Sequence, residues 1–254
     1  MFINSLAKGL KVLSIFTEKE KELSLTEISQ RLNMSKGSIQ RVTYTLTSLG
    51  YLEKNEETKK YQLGLKVLTL GFTLLNSIEL RQLAYPYMKA LSDELNITVN
   101  LATLDKTEIV YLERIKVRQL LDINLYVGSR LPAFCTSMGK AILAFLPPKK
   151  LTEYLDHVEL KPITIHSIVD KDRLKDELAK IRNKGYAINN EELVIGLRSI
   201  ASPIINSDRV AIAAVNIPVL SSQVSLKELE EKYALHIVDL AKKISKAMGS
   251  RKGI

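Results

Sequence analysis

Lys36, Gly37, Ser38, Gln40, Arg41 and Thr45 make a run of donors and small residues, and no acid falls between Glu27 and Glu53. Groups that mostly donate, repeated at helical spacing, suit a polyanion: they can reach base edges and phosphate oxygens. Positioning them requires a helix whose opposite face is buried. Ile39, Val42, Leu46 and Leu49 recur at steps of three, four and three, Ser35 can cap the start, and Gly50 is a natural stop. Upstream, Ser24 and Glu27 stand in capping-box spacing ahead of the stripe Leu25, Ile28 and Leu32, and Asn33-Met34 breaks the period. Two short helices joined by a tight turn form a helix-turn-helix, whose second helix enters the major groove of DNA.

That geometry also serves protein contacts, so the next segment matters. Residues 51–54 and 59–63 alternate like a short hairpin around a polar tip at 55–58, with Lys59 and Lys60 on the return strand. A helix over 5–17, carrying Leu6, Leu10 and Leu13, supplies a third wall. Together these elements predict a winged helix. Gln40 and Arg41 are the candidates for base contacts, and Ser35, Lys36, Ser38, Lys59 and Lys60 for phosphate contacts.

The 254 residues carry 37 basic and 28 acidic side chains, a formal net charge of +9. Residues 1–75 hold 11 basic against 7 acidic groups, so the excess is denser there. Such a charge favours a polyanionic partner and says nothing about fold. Cys135 is the only cysteine, which excludes an intramolecular disulfide and suits a reducing compartment. The N-terminus does not read as a signal peptide and no apolar run approaches bilayer length, so the expectation is a cytoplasmic protein.

Residues 64–78 have helical pattern but are apolar on most of the circumference. Such a helix must be covered on all sides. Dimerisation through it is the preferred explanation, and burial within its own domain the alternative. A helix over 79–95 follows, kinked or delayed by Pro86. Strands are then expected at 97–104, 108–115, 121–127, 186–190, 198–205 and 210–217, and helices at 136–145, 149–155, 172–184 and 225–248. Strands paired largely through hairpins and interrupted by helices argue for an antiparallel sheet in an α+β domain. The organisation is therefore an α/β two-domain chain: a winged helix-turn-helix over 1–63, a linker or dimerisation helix over 64–78, and an α+β domain over 79–254.

Signals for catalysis are poor. His157, His166 and His236 form no metal-ligand spacing, and no phosphate loop or G-x-S-x-G elbow occurs. Neither a cofactor nor a metal is expected. Glu191-Glu192 reads as the surface of a strand end, because adjacent residues point to opposite faces. Cys135, in apolar context, reads as inert packing. A DNA-binding module fused to an enzymatic small-acid-binding domain is the competing reading, and an adaptor using its winged helix for protein contacts is a third.

With these motifs in place, the chain resembles the IclR family of transcription regulators. The resemblance rests on GYLEKNEETKKYQLG, on the linker LKVLTLG, and on the blocks GSRLPAFCTSMGKAILA and GYAINNEELVIGLRSIASPI. The wording is most similar to the branch that regulates aromatic-acid degradation, the protocatechuate, 4-hydroxybenzoate and β-ketoadipate regulators. The resemblance implies a GAF-like effector domain that binds a small organic acid, lined by Ser137, Met138, Asn189, Ser199, Asn216 and Pro218. It also implies a homodimer through the N-terminal domain and linker helix, tetramers through effector domains, and a near-palindromic operator in double-stranded DNA. Relatives that bind small 2-oxo acids typically have aspartate at Asn189, cysteine at Ser199, and serines at Asn216 and Pro218, so a different effector is expected. Arg130 and Arg198 are candidate counter-ions, although alternation should turn Arg198 away from Ser199.

Overall fold

The computed structural model describes residues 1–17, 19–117 and 125–249, which divide into two compact units, Met1–Ser77 and Ile78–Ile254. In the first unit, helix α1 (Asn4–Ser14) precedes strand β1 (Leu23–Ser24), α2 (Leu25–Leu32), α3 (Lys36–Ser48), β2 (Leu52–Lys54), β3 (Lys60–Leu63) and α4 (Lys66–Ser77). The capping box forms: Ser24 Oγ accepts from the Glu27 amide at 3.3 Å, and the Glu27 carboxylate accepts from the Ser24 amide at 2.7 Å. Asn33 turns the chain with a left-handed φ of 50°, and Ser35 caps α3 through the Ser38 amide. Val12, Leu23, Ile28, Ile39, Leu46, Leu52 and Tyr61 close the core. The strands order β1-β3-β2; the two-residue β1, too short to show a period, was not legible in the sequence. In α4 no residue is buried, and Leu70 and Leu74 are 60% and 63% exposed.

The second unit begins with α5 (Glu79–Leu95), which runs through Pro86 without a delayed start. β4 (Val99–Asp105), β5 (Glu108–Ile115) and β6 (Arg130–Pro132) follow, then a 3-10 turn (Ala133–Cys135), α6 (Ser137–Ala144), α7 (Pro148–His157) and α8 (Lys171–Lys184). β7 (Ala187–Asn190), β8 (Leu197–Ile205), β9 (Ala211–Leu220) and α9 (Leu226–Ala247) complete it. One antiparallel sheet runs β6-β5-β4-β9-β8-β7. Helices cover both faces, as the α+β, GAF-like class requires. α5 and α9 pack on Val99, Leu101, Ile200, Val215 and Ile217. α6 packs on Ala102, Ala187, Ala201 and Ala214, whose small side chains let it lie close to the sheet, and α8 packs on α6. All eight residues of α6 are buried. Gly139 is required there: a Cβ would stand 2.1 Å from the Ala133 carbonyl oxygen.

The strand expected at 121–127 falls partly outside the described residues, and Leu125–Val127 is not a strand. Gly128, at φ 93°, instead turns the chain into β6, which forms the sheet edge beside β5. No helix among the described residues is long and apolar enough to cross a membrane.

Candidate functional site

The surface of α3 holds the donor run. Lys36, Gly37, Gln40, Arg41 and Thr45 are exposed, Ser38 is half-buried, and Ile39, Thr43 and Leu46 face the core. Two hydroxyls are already engaged: Ser35 Oγ caps the helix, and Thr45 Oγ1 donates to the Arg41 carbonyl at 3.0 Å. Ser38, Arg41 and Thr45 border a groove of about 670 Å³ shared with Leu6, Leu10 and Leu13 of α1 and Leu70 of α4. Gln40 lies on the other flank of the exposed arc, with Tyr44, which sequence reasoning passed over. At the wing, Lys59 is exposed but its ammonium lies 3.0 Å from Glu56, which also holds Lys54 at 3.3 Å. Lys60, opposite Ser24 in the ladder, is the first residue of the return strand β3. There its charge assists the Ser24 hydrogen bonds in holding the Glu27 carboxyl below its ordinary range.

In the second unit a cavity of about 400 Å³ lies between the sheet and the start of α6. Alternation along the strands turns Asn189, Ser199, Asn216 and Pro218 to this face. Met138 lines it from α6, and Thr136 lines it while capping α6 through the Gly139 amide at 3.1 Å. Pairing of β9 with β4 ends at Asn216, so Pro218, which has no amide hydrogen, stands where none is needed.

Three candidate residues lie elsewhere. Ser137 sits behind the wall: its Oγ is 2.7 Å from Ser199 Oγ and accepts from Asn216 Nδ2 at 3.4 Å. Arg130 does not reach the cavity. It is on the edge strand, where Asp105 and Glu108 bind its guanidinium at 2.7 Å each. Arg198 is turned away, as alternation requires, and pairs with Glu191 while donating to Asn190 and two backbone carbonyls.

The cation in the cavity wall is Arg114, which sequence reasoning missed. Its Nε donates to Asn100 Oδ1 at 2.9 Å, Asn100 Nδ2 donates to Asn216 Oδ1 at 2.8 Å, and Asn216 reaches Ser137 and so Ser199. Arg114 also donates to the Leu125 carbonyl. Burial pulls its pKa below the ordinary arginine value, yet a guanidinium stays charged. Lys116 adds a second cation, and among the described residues no carboxylate lines the cavity. Apart from Thr98, the rest of the wall is apolar or aromatic, including Tyr111, Leu131 and Leu193. A concave, mainly apolar site with cations and neutral amides and hydroxyls fits an organic anion.

Behind Asn189 lies a buried ion pair. Asn189 Nδ2 donates to the Cys135 carbonyl, and its Oδ1 accepts from the Glu192 amide at 3.2 Å. The Glu192 carboxylate in turn pairs with Lys140 of α6, both groups being buried. Glu192 is therefore not the strand-end surface expected of it: Glu191, at φ 61°, turns the chain there and sends its neighbour inward. Burial raises the Glu192 pKa, partly offset by Lys140. Burial, with Glu192 nearby, pushes the Cys135 thiol up to about 12, so at neutral pH it is protonated and a poor nucleophile.

Comparison with known proteins places this geometry. A family model described as the IclR helix-turn-helix domain matches residues 5–56, and one described as the bacterial transcriptional regulator IclR C-terminal matches residues 72–246. The Pca regulon regulatory protein of Pseudomonas putida is 38% identical over 233 residues, 91% of this chain and 79% of that protein. The crystal structure of Thermotoga maritima IclR is 31% identical with a TM-score of 0.78, covering 98% of this chain and 100% of that one. An IclR homolog of Microbacterium hydrocarbonoxydans, solved with 4-hydroxybenzoate, shares the fold at a TM-score of 0.81 and 24% identity, covering 97% and 99% of the two chains. The chain belongs to the IclR family of DNA-binding transcription regulators, with a winged helix ahead of an α+β effector domain.

Proposed function

We propose that the regulator binds a small organic carboxylate in the α6–sheet cavity, and that occupancy changes its affinity for a near-palindromic operator. The observation that carries this reading is Arg114, a half-buried cation on a cavity wall with no carboxylate partner among the described residues. The likeness to a Pca regulon regulator and to a fold neighbour holding 4-hydroxybenzoate supports an aromatic or dicarboxylic acid. Met138, Asn189, Ser199, Asn216 and Pro218 would contact the acid, with Ser137 setting Ser199 and Asn216 in place. Arg130 has no part in this.

The DNA-reading surface is assigned to Ser35, Lys36, Gly37, Ser38, Gln40, Arg41 and Thr45 of the recognition helix and its cap, with Lys59 and Lys60 on the wing. The functional divisions are 1–63 for DNA, 64–78 for dimerisation and 79–254 for the effector. The exposed leucines of α4 and α1 support a homodimer through the N-terminal domain and linker helix, because such a surface in water favours a second copy. Tetramers would add contacts between effector domains. The regulator would work in the cytoplasm, without cofactor, as a ligand sensor and not an enzyme.

Thermal unfolding of the full chain with aromatic acids, β-ketoadipate-type dicarboxylates, sugar acids and glyoxylate tests the effector class. One of these raises the unfolding temperature in a concentration-dependent way. No stabilisation by any of them refutes the organic-acid assignment.

A further inference from the structure

Tyr44 is 74% exposed on α3, although its helix neighbours Thr43 and Leu46 are buried. A ring this open contributes little to the core of its own unit. It stands four residues after Gln40 and seven after Gly37, both exposed, so the three share one outward stripe of the helix. Arg41 and Thr45, on the opposite flank, border the groove with α1 and α4 instead.

Position along the helix then decides what Tyr44 can touch. It lies eight residues after Lys36, about 12 Å at the ~1.5 Å rise of an α-helix. That is close to the ~12 Å width of the major groove. With Lys36 at one phosphate wall and Gln40 among the base edges between, the phenol reaches the far wall of the groove, which is also phosphate. We propose that Tyr44 is a DNA-contacting residue whose hydroxyl donates a hydrogen bond to a backbone phosphate. This rests on α3 being the helix that enters the groove. The contact is neutral on the protein side, so it strengthens binding without releasing a counterion, unlike a lysine or arginine contact.

The test is fluorescence anisotropy of the full chain with two duplexes, one selected by the wild-type protein from a random pool and one of scrambled sequence, each over a range of salt. Tyr44→Phe removes only the oxygen from an exposed ring, and circular dichroism checks that the variant folds. Binding to both duplexes weakens by about tenfold, as expected for a hydrogen bond to a charged group. The slope of log affinity against log salt stays as in wild type. Wild-type affinity in Tyr44→Phe overturns the proposal, as does a loss confined to the selected duplex, which marks a base contact. A changed salt slope also overturns it. Failure of the wild-type chain to bind either duplex refutes the DNA role of α3 itself, a distinct result.

Discussion

Asn100 and Asn216 lie 116 residues apart in the chain, yet their side chains meet at 2.8 Å in the wall of the cavity. They are opposite one another in the β4–β9 ladder, and Asn100 is opposite Arg114 in the β4–β5 ladder. A single row across three strands thus joins a cation to two amides, and then to Ser137 at the start of α6. Every hydrogen bond in the row is buried or partly buried, which makes each partner costly to remove.

Asn216→Ala leaves the Asn100 amide without its acceptor and Ser137 without a donor. The expected destabilisation is about 1–3 kcal/mol, the penalty of an unsatisfied buried polar group. Denaturant unfolding measures it, and acid binding should be lost together with the stability. Unchanged stability would mean that the row is not a structural unit.

Arg114→Gln keeps a donor near Asn100 and removes the charge. Without ligand the variant should be at least as stable as wild type, because an unpaired half-buried cation is a burden. Calorimetric titration should show binding of any stabilising acid weakened by about tenfold or more, the worth of a charge-assisted hydrogen bond. The same substitution at Arg130, whose guanidinium serves Asp105 and Glu108 on the outer edge, should leave that affinity unchanged.

Lys140→Met strands the buried Glu192 carboxylate and should destabilise the chain by about 3–5 kcal/mol at neutral pH. Replacing Glu192 by leucine as well should recover most of this loss. The pH dependence has a definite sign. Burial already raises the Glu192 pKa above its ordinary value, and losing Lys140 raises it further. A carboxyl with a raised folded-state pKa contributes stability that is present at low pH and lost as pH rises through that pKa. The Lys140→Met defect should therefore shrink as pH falls toward the carboxylate range, a trend that unfolding curves would expose.

Glu56→Gln frees Lys54 and Lys59 at the wing. Binding to scrambled duplex should tighten severalfold at low salt, and the gap should close as salt screens the freed charges. No gap at low salt would remove the wing lysines from the DNA-binding surface.

Much of the DNA-reading half was legible because its signals are local. The Ser24–Glu27 box, the Ser35 cap and the stripe Ile39, Val42, Leu46 span a few residues each, and the structure forms both caps. Asn189, Ser199, Asn216 and Pro218 were named by the family resemblance, and the strand register shows them on one face. Arg114 was hidden for a specific reason. Leu112 is an extra residue in β5, so Tyr111 and Arg114, three apart, face the same cavity, where strict alternation would set them on opposite sides. Arg130 was misplaced because strand β6 was not foreseen, and only its pairing with β5 shows that the guanidinium faces Asp105 and Glu108. Glu192 was misread because the left-handed turn at Glu191 breaks the strand rule that set the two acids on opposite faces. Tyr44 escaped notice as an aromatic residue in a run read for small, amide and basic side chains.

The central claim is that a carboxylate in the Arg114 cavity alters DNA binding, and the most direct measurement is the operator-binding midpoint with and without 4-hydroxybenzoate. Wild type and Arg114→Gln are compared as full chains at one salt concentration. The account predicts a shift of about fivefold or more in wild type, the usual range of allosteric coupling, and none in the variant. An equal shift in both proteins would contradict it, as would no shift in wild type with this acid or any other of the panel.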